Sequence, residues 1–207
     1  MPDEMRRVIV YIDGFNLYHA IDALHKPWLK WVDLNAIGLS LLRQGEILKT
    51  VKYFSAYATW MPQRYARHRD YVSAIAAHGA IPHMAKFKAK PRKCLSCQST
   101  WIGHEEKETD VQIAVHMVCD ALRGEAERLI VISADTDLSP AIAAIAKLAP
   151  QCEVFVASPP GRFAKGRGLK PGIEITAGRL NRCLLPEKIS MGGGRVVSRP
   201  PSYAPPT

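Results

Sequence analysis

A chain of 207 residues, 47% hydrophobic and 23% charged, is long enough to bury one α/β core, and the composition is that of an ordinary globular protein. No apolar run nears the ~18 residues of a membrane span, and five scattered cysteines, an odd number, argue against a disulfide framework. The formal net charge of +9 favours polyanionic partners through phosphate contacts, although solubility alone also accounts for such a balance.

The opening Met1-Pro2-Asp3-Glu4-Met5-Arg6-Arg7 places acids before bases, unlike a secretory leader, so the chain reads as cytoplasmic, with no membrane segment. Val8 to Ile12 is a continuous apolar run ending at Asp13-Gly14, the pattern of a strand buried on both faces. Similar runs are Val51 to Ala58, Leu129 to Ser133 and Val154 to Ala157, with a weaker one at Ile81 to Met84, interrupted by Pro82. Between them, Pro62 opens a helix to about His78, with Val72, Ile75 and Ala76 inward. Thr109 caps a second helix, along which Val111, Ala114, Val115, Val118, Ala121 and Leu122 recur at helical spacing. Ser139-Pro140 opens a third, with Ile142, Ile145 and Ala149 inward. Alternating strands and helices predict an α/β fold, a mostly parallel sheet with helices on both faces. Beyond Pro186, the Gly192-Gly193-Gly194 run and four late prolines read as a mobile tail over 188–207.

Acids stand where such a sheet places ligand sites. Asp13 follows the first strand; Asp135 and Asp137 follow the Leu129 to Ser133 strand; Asp110 begins a helix near Glu105, Glu106 and Glu108. Any one of them alone reads as a turn or capping residue. Together they form a set whose mutual repulsion calls for a cation, and hard oxygen donors suit Mg²⁺ or Mn²⁺.

The segments Val10-Tyr11-Ile12-Asp13-Gly14-Phe15-Asn16-Leu17, Glu106-Lys107-Glu108-Thr109-Asp110-Val111 and Ser133-Ala134-Asp135-Thr136-Asp137-Leu138-Ser139-Pro140 resemble the three signature blocks of NYN-domain proteins, in the LabA-like branch of the PIN-like superfamily. Pro159-Pro160-Gly161-Arg162 and Leu184-Leu185-Pro186 resemble a bacterial subgroup, so the likeness runs over roughly residues 6–186. It implies a PIN-like nuclease domain over 1–187, a divalent-metal ribonuclease site, and RNA as partner. Asp13, Asp110, Asp135 and Asp137 carry over as catalytic, metal-binding carboxylates. Asn16 carries over as a polar helper, and Ser133 and Thr136 offer hydroxyls or act as plain turn residues. Many relatives have a further acid six residues after the position of Asp110, where this chain has His116.

Residues 84–106 read as a basic, cysteine-containing insertion. Cys94-Leu95-Ser96-Cys97 has the spacing of half a zinc site, with His83 and His104 as the nearest candidates for the rest; a similar pair is frequent in the bacterial subgroup. Cys119, Cys152 and Cys183 sit among apolar residues and read as buried thiols. Lys86, Lys88 and Lys90 alternate, which places them on one face of an extended segment, to hold RNA with Arg162 and Lys165 or to solvate a sheet edge. Phe87 and Trp101 nearby are stacking candidates, Phe87 equally a core residue. The competing readings are a nucleic-acid-binding module without turnover and an enzyme of another class on the same sheet; no P-loop or dinucleotide fingerprint is present.

Overall fold

The computed structural model describes residues 5–206; Met1–Glu4, part of the opening segment weighed above as a leader, and Thr207 lie outside the described residues. Strand β1 (Arg6–Asp13) runs through the middle of the molecule. Its alternate residues serve two cores, Val8, Val10 and Ile12 on one face and Ile9 and Tyr11 on the other. This is why the run is apolar throughout rather than alternating.

Seven strands form one sheet: β1, β2 (Glu46–Ala56), β3 (Ala80–Lys93), β4 (Thr100–Lys107), β5 (Arg128–Ile132), β6 (Glu153–Ser158) and β7 (Ile173–Glu174), in the order β4-β3-β2-β1-β5-β6-β7. Every neighbouring pair is parallel except β3 with β4. On one face lie α1 (Gly14–Asp22), α2 (Leu34–Leu39), α3 (Pro62–Ala77) and α6 (Ala177–Arg182), inserting Leu17, Ile37, Ile75 and Leu180. On the other lie α4 (Thr109–Leu122) and α5 (Ser139–Leu148), inserting Ile113, Met117 and Ile145, each such burial being favourable by about 1.5–3 kcal/mol. The chain moves from β1 outward to β4, then returns to β5 on the other side of β1. The switch point of the sheet therefore falls between the carboxyl ends of β1 and β5. No helix among the described residues is long and apolar enough to cross a membrane.

Four sequence expectations change. The weak strand at Ile81 to Met84 is the root of the 14-residue β3, whose outer half pairs with β4, so 84–106 is a ribbon that widens the sheet. In α4 the apolar residues at helical spacing are not all inward: Ile113, Met117, Asp120 and Ala121 are buried, while Val111, Val115 and Leu122 are exposed. Apolar residues occupy both sides of this helix, so periodicity alone left its facing undecided. In α3, Ala74 is buried and Ala76 exposed, while in α5 Ala141 is buried and Ile142 only partly so. Last, residues 188–206 are not a loose tail. Strands β8 (Lys188–Ser190) and β9 (Val196–Ser198) form a hairpin whose in-register residues Ile189 and Val197 enter the core. The glycines that suggested a linker form its turn, Gly193 and Gly194 having positive φ. Tyr203 then packs on the same core.

Candidate functional site

Asp13 ends β1 and caps α1: its Oδ1 accepts the Asn16 N–H at 2.9 Å. The helix starts so close to β2 that a Cβ at Gly14 would lie 2.7 Å from the Phe54 carbonyl oxygen. Glycine is therefore required directly after the aspartate. In register on the neighbouring strand, Ile12 faces Ile132, which brings Ser133 beside Asp13. The Ser133 hydroxyl donates to Asp13 Oδ2 at 2.9 Å and accepts the Asp135 N–H at 3.0 Å. The Asn16 carboxamide oxygen accepts the Ala134 N–H at 3.2 Å. Asp135 in turn accepts the Asp137 N–H at 3.0 Å. Local turn chemistry thus ties the two strand ends together.

Asp110 arrives from the other side, in the first turn of α4. Thr109 is not the cap; it is the first helical residue, buried, with its N–H and hydroxyl both donating to Glu106. Glu108 precedes it in the left-handed region, φ 80°, a conformation uncommon for a residue with a side chain. That turn swings the chain from β4 into the helix.

Asp13, Asn16, Asp110 and Asp135 line one cleft, together with Phe15, His19, Phe87, His104, Glu106, Arg162 and Lys165. Burial raises the Asp13 carboxyl to about 6; the Asn16 N–H and Ser133 hydroxyl oppose the rise, and the charges of Asp110 and Asp135 add to it. Asp110 is likewise pushed up to about 6, by burial first and then by Asp135, Glu106 and Asp137. Two carboxyls holding protons that late mark an excess of negative charge in a partly dry site. Among the described residues, no three Asp, Glu, His or Cys side chains close around one point as a ready metal cage. The donor set still fits a hard cation, because Mg²⁺ keeps several waters and needs only one or two carboxylates. Asp13, Asp110 and Asp135 line the cleft, as do Glu105 and Glu106.

The other sequence candidates fall in several places. Asp137 and Thr136 are exposed beyond the cleft, and Thr136 packs where a Cβ at Gly168 would come within 2.9 Å of its methyl. That contact brings the loop after β6, with Arg162 and Lys165, against the loop after β5. Lys86, Lys88 and Lys90 are exposed on β3 and do not line the cleft, whereas the intervening Phe87 does. Trp101 is exposed on β4. Cys94 and Cys97 sit at the β3–β4 tip, where hydrogen bonds from Ser99 and then Cys94 lower the Cys97 thiol to about 7. His83 and His104 do not complete their zinc site: His83 stacks on Phe54 and His104 on Trp60, and no third ligand joins the pair among the described residues. Of the other thiols, Cys152 and Cys183 are buried and Cys119 partly so. His116 lies outside the cleft lining, its ring against Phe54 and His83 and its Nδ1 3.5 Å from Lys52 Nζ. Lys52 pairs with Asp120 there. Sequence reading missed Phe15 and His19 as cleft residues; their spacing of four just after Asp13, which puts them on one helix face, was the available signal.

Comparison with known proteins agrees with this architecture. The 6-hydroxy-3-succinoylpyridine 3-monooxygenase HspA of Pseudomonas putida (strain DSM 28022 / S16) is 26% identical over 182 residues, covering 69% of this chain. The match spans 56% of that relative, about half its length. A solved structure of a protein of unknown function, VPA0982, from Vibrio parahaemolyticus RIMD 2210633 is similar in fold, with a TM-score of 0.57 at 17% identity, covering 86% of this chain and 96% of that one. The NYN domain model matches residues 7–166, from the second residue of β1 into the connection between β6 and β7 that bears Arg162 and Lys165. The chain belongs to the NYN-domain family of the PIN-like superfamily.

Proposed function

We propose that the protein is a divalent-metal-dependent ribonuclease that hydrolyses RNA phosphodiester bonds with Asp13, Asp110, Asp135 and Asp137. The observation that carries this reading is the meeting of Asp13, Asp110 and Asp135 in one cleft at the switch point of the sheet, flanked by Arg162 and Lys165. Bound Mg²⁺ or Mn²⁺ supplies activation of a water and neutralisation of charge on the phosphate. The chain does the rest. Ser133 and the Asn16 N–H hold Asp13 in one orientation, and Asp135 is fixed by the turn that follows it. Arg162 and Lys165 draw the phosphate towards carboxylates that would otherwise repel it. Asp137 takes an outer role, through its charge on Asp110. The cellular setting consistent with this reading is the cytoplasm.

The deciding experiment is cleavage of single-stranded and structured RNA with Mg²⁺, Mn²⁺ or chelator, using Asp13→Asn and Asp135→Asn as controls. Metal-dependent cleavage lost in both variants is the expected result. Chelator-resistant cleavage that only the wild type shows would overturn the metal requirement. RNA binding without cleavage under any metal would leave a binding module. The competing reading is an enzyme of another class on the same fold, for which the 26% match to part of the Pseudomonas relative gives no specific support. A substrate screen of heteroaromatic acids with and without metal tests it.

A further inference from the structure

Beside the acidic cleft lies a second cavity of about 250 Å³, between α1, α3 and the carboxyl end of β2. Its volume falls below the ~300–1,000 Å³ of pockets for drug-sized ligands, so it suits a single ring system. Phe15, His19 and Phe87 line both cavities, which makes them adjoining chambers. Phe87 stands edge-on to Phe15 at 5.6 Å and to Trp60 at 4.7 Å, so the dividing ridge is aromatic. Deeper in, the lining includes a polar patch: Tyr53 Oη lies 3.2 Å and the Ser55 hydroxyl 3.5 Å from His68 Nε2. Burial lowers His68 to about 4, so its imidazole is neutral, with one donor and one acceptor nitrogen. Arg64 and Arg67 also line the cavity, and neither has a carboxylate partner among the described residues. Tyr203, from the segment after the β8–β9 hairpin, completes the wall.

We infer that this cavity is a base subsite: it receives one unstacked nucleobase of a single-stranded RNA whose neighbouring phosphate lies in the acidic cleft. The inference rests on the RNA reading of that cleft. Aromatic side chains take up splayed bases by stacking, and a few polar groups read the base edge. Arg64, and Arg67 beside the Tyr203 hydroxyl, have no carboxylate partner among the described residues and would meet the adjoining phosphates. A purely structural void would need neither those cations nor continuity with the acidic site.

The test uses the full-length protein in chelator, with a short fluorescent RNA in which an abasic residue is stepped through each position. Binding is read by anisotropy, so no cleavage is needed. One position is expected to lose about tenfold in affinity, the order that a stacked base contributes, with neighbouring positions losing less. Ala58→Trp, at a half-buried position in the cavity lining, is expected to weaken the intact RNA by a similar factor and to flatten the scan. A flat scan in the wild type overturns the subsite, whatever the variant does. So does saturable binding of a hydroxypyridine carboxylic acid, abolished by Ala58→Trp, alongside a flat scan, because the cavity would then serve a free ring. Metal-dependent cleavage with a flat scan sinks the subsite alone. A position-specific scan from a protein that cleaves no RNA sinks the nuclease reading alone.

Discussion

Replacing Asp13 by Asn should make the metal-free protein more stable near neutral pH. The Asp13 carboxyl rises from 3.8 to about 6, chiefly through burial. Keeping it ionised at neutral pH therefore costs about 3 kcal/mol, at 1.36 kcal/mol for each of roughly two pH units. Asn retains the Oδ1 acceptor for the Asn16 N–H, but its amide leaves the Ser133 hydroxyl without its present acceptor, a loss of about 1 kcal/mol. The net gain is about 2 kcal/mol, or a Tm rise of about 4–8 °C in a chain of this size. The pH window follows from the direction of the shift. A carboxyl raised in the folded state contributes stability that is fully present below about 3.8 and is lost as pH rises through about 6. The advantage of Asp13→Asn should therefore vanish near pH 4. Saturating Mn²⁺ should raise the wild-type Tm at neutral pH more than that of the variant, because ligand binding stabilises the state that holds it. Thermal melts in chelator and in Mn²⁺, at acid and neutral pH, check all three statements. A variant that melts no higher than wild type at neutral pH, or whose advantage is the same at both pH values, would refute the account of the cleft as an over-charged metal site.

Asp110→Asn should act in the same direction by about 1 kcal/mol, since Asp110 is half exposed and solvent screens its charge; the same melts measure it. Ile189→Ala should cost about 2–5 kcal/mol in denaturant unfolding, as for other buried isoleucines, and truncation after Glu187 should cost more by stripping Val197 and Tyr203 from the core. Gly14→Ala should lower Tm and weaken the metal response together, because its Cβ collides with β2 backbone one residue from Asp13; a circular-dichroism melt with and without Mn²⁺ reads both. Arg162→Ala with Lys165→Ala should lower RNA affinity and reduce the log–log salt slope by about 0.7 for each phosphate no longer neutralised, more than alanine at Lys86, Lys88 and Lys90, which lie outside the cleft.

The central strands and their terminal acids were legible because both are local signals. An apolar run that ends in Asp-Gly or Ser-Ala-Asp states its own burial and its own turn. The facing of α4 was not legible, since Val111 and Val115 are as apolar as Ile113 and Met117 and only the sheet decides between them. The hairpin at 188–198 was hidden by composition: Ile189 and Val197 flank the Gly192-Gly193-Gly194 run in a stretch that four prolines soon follow, and their value appears only when the turn brings them opposite each other. The base-sized chamber was hidden for another reason. Its lining comes from α1, β2, α3, β3 and the C-terminal segment, so no stretch of sequence carries it.

The capping and catalytic readings of the strand-end aspartates are not alternatives. A cap needs a short carboxylate whose oxygen is held by backbone N–H groups just after a strand. A metal site needs carboxylates whose rotamers are already fixed, since ordering a free side chain would subtract from binding. Asp13 meets both demands with different oxygens, Oδ1 on the Asn16 N–H and Oδ2 on Ser133, and each oxygen keeps a lone pair for another partner. Asp135 does the same with one oxygen in the turn. Asp110 stands instead in the first helical turn after the left-handed Glu108, where the helix dipole favours its charge and no cap of this kind holds its side chain. In the proposed metal site, two held carboxylates beyond the ends of adjacent strands and one adjustable carboxylate on a helix would close on a cation without moving the sheet. The adjustable member is then the one whose side chain should shift on Mn²⁺ binding. A Mn²⁺-soaked crystal in which Asp13 reorients while Asp110 stays still would contradict this division of labour.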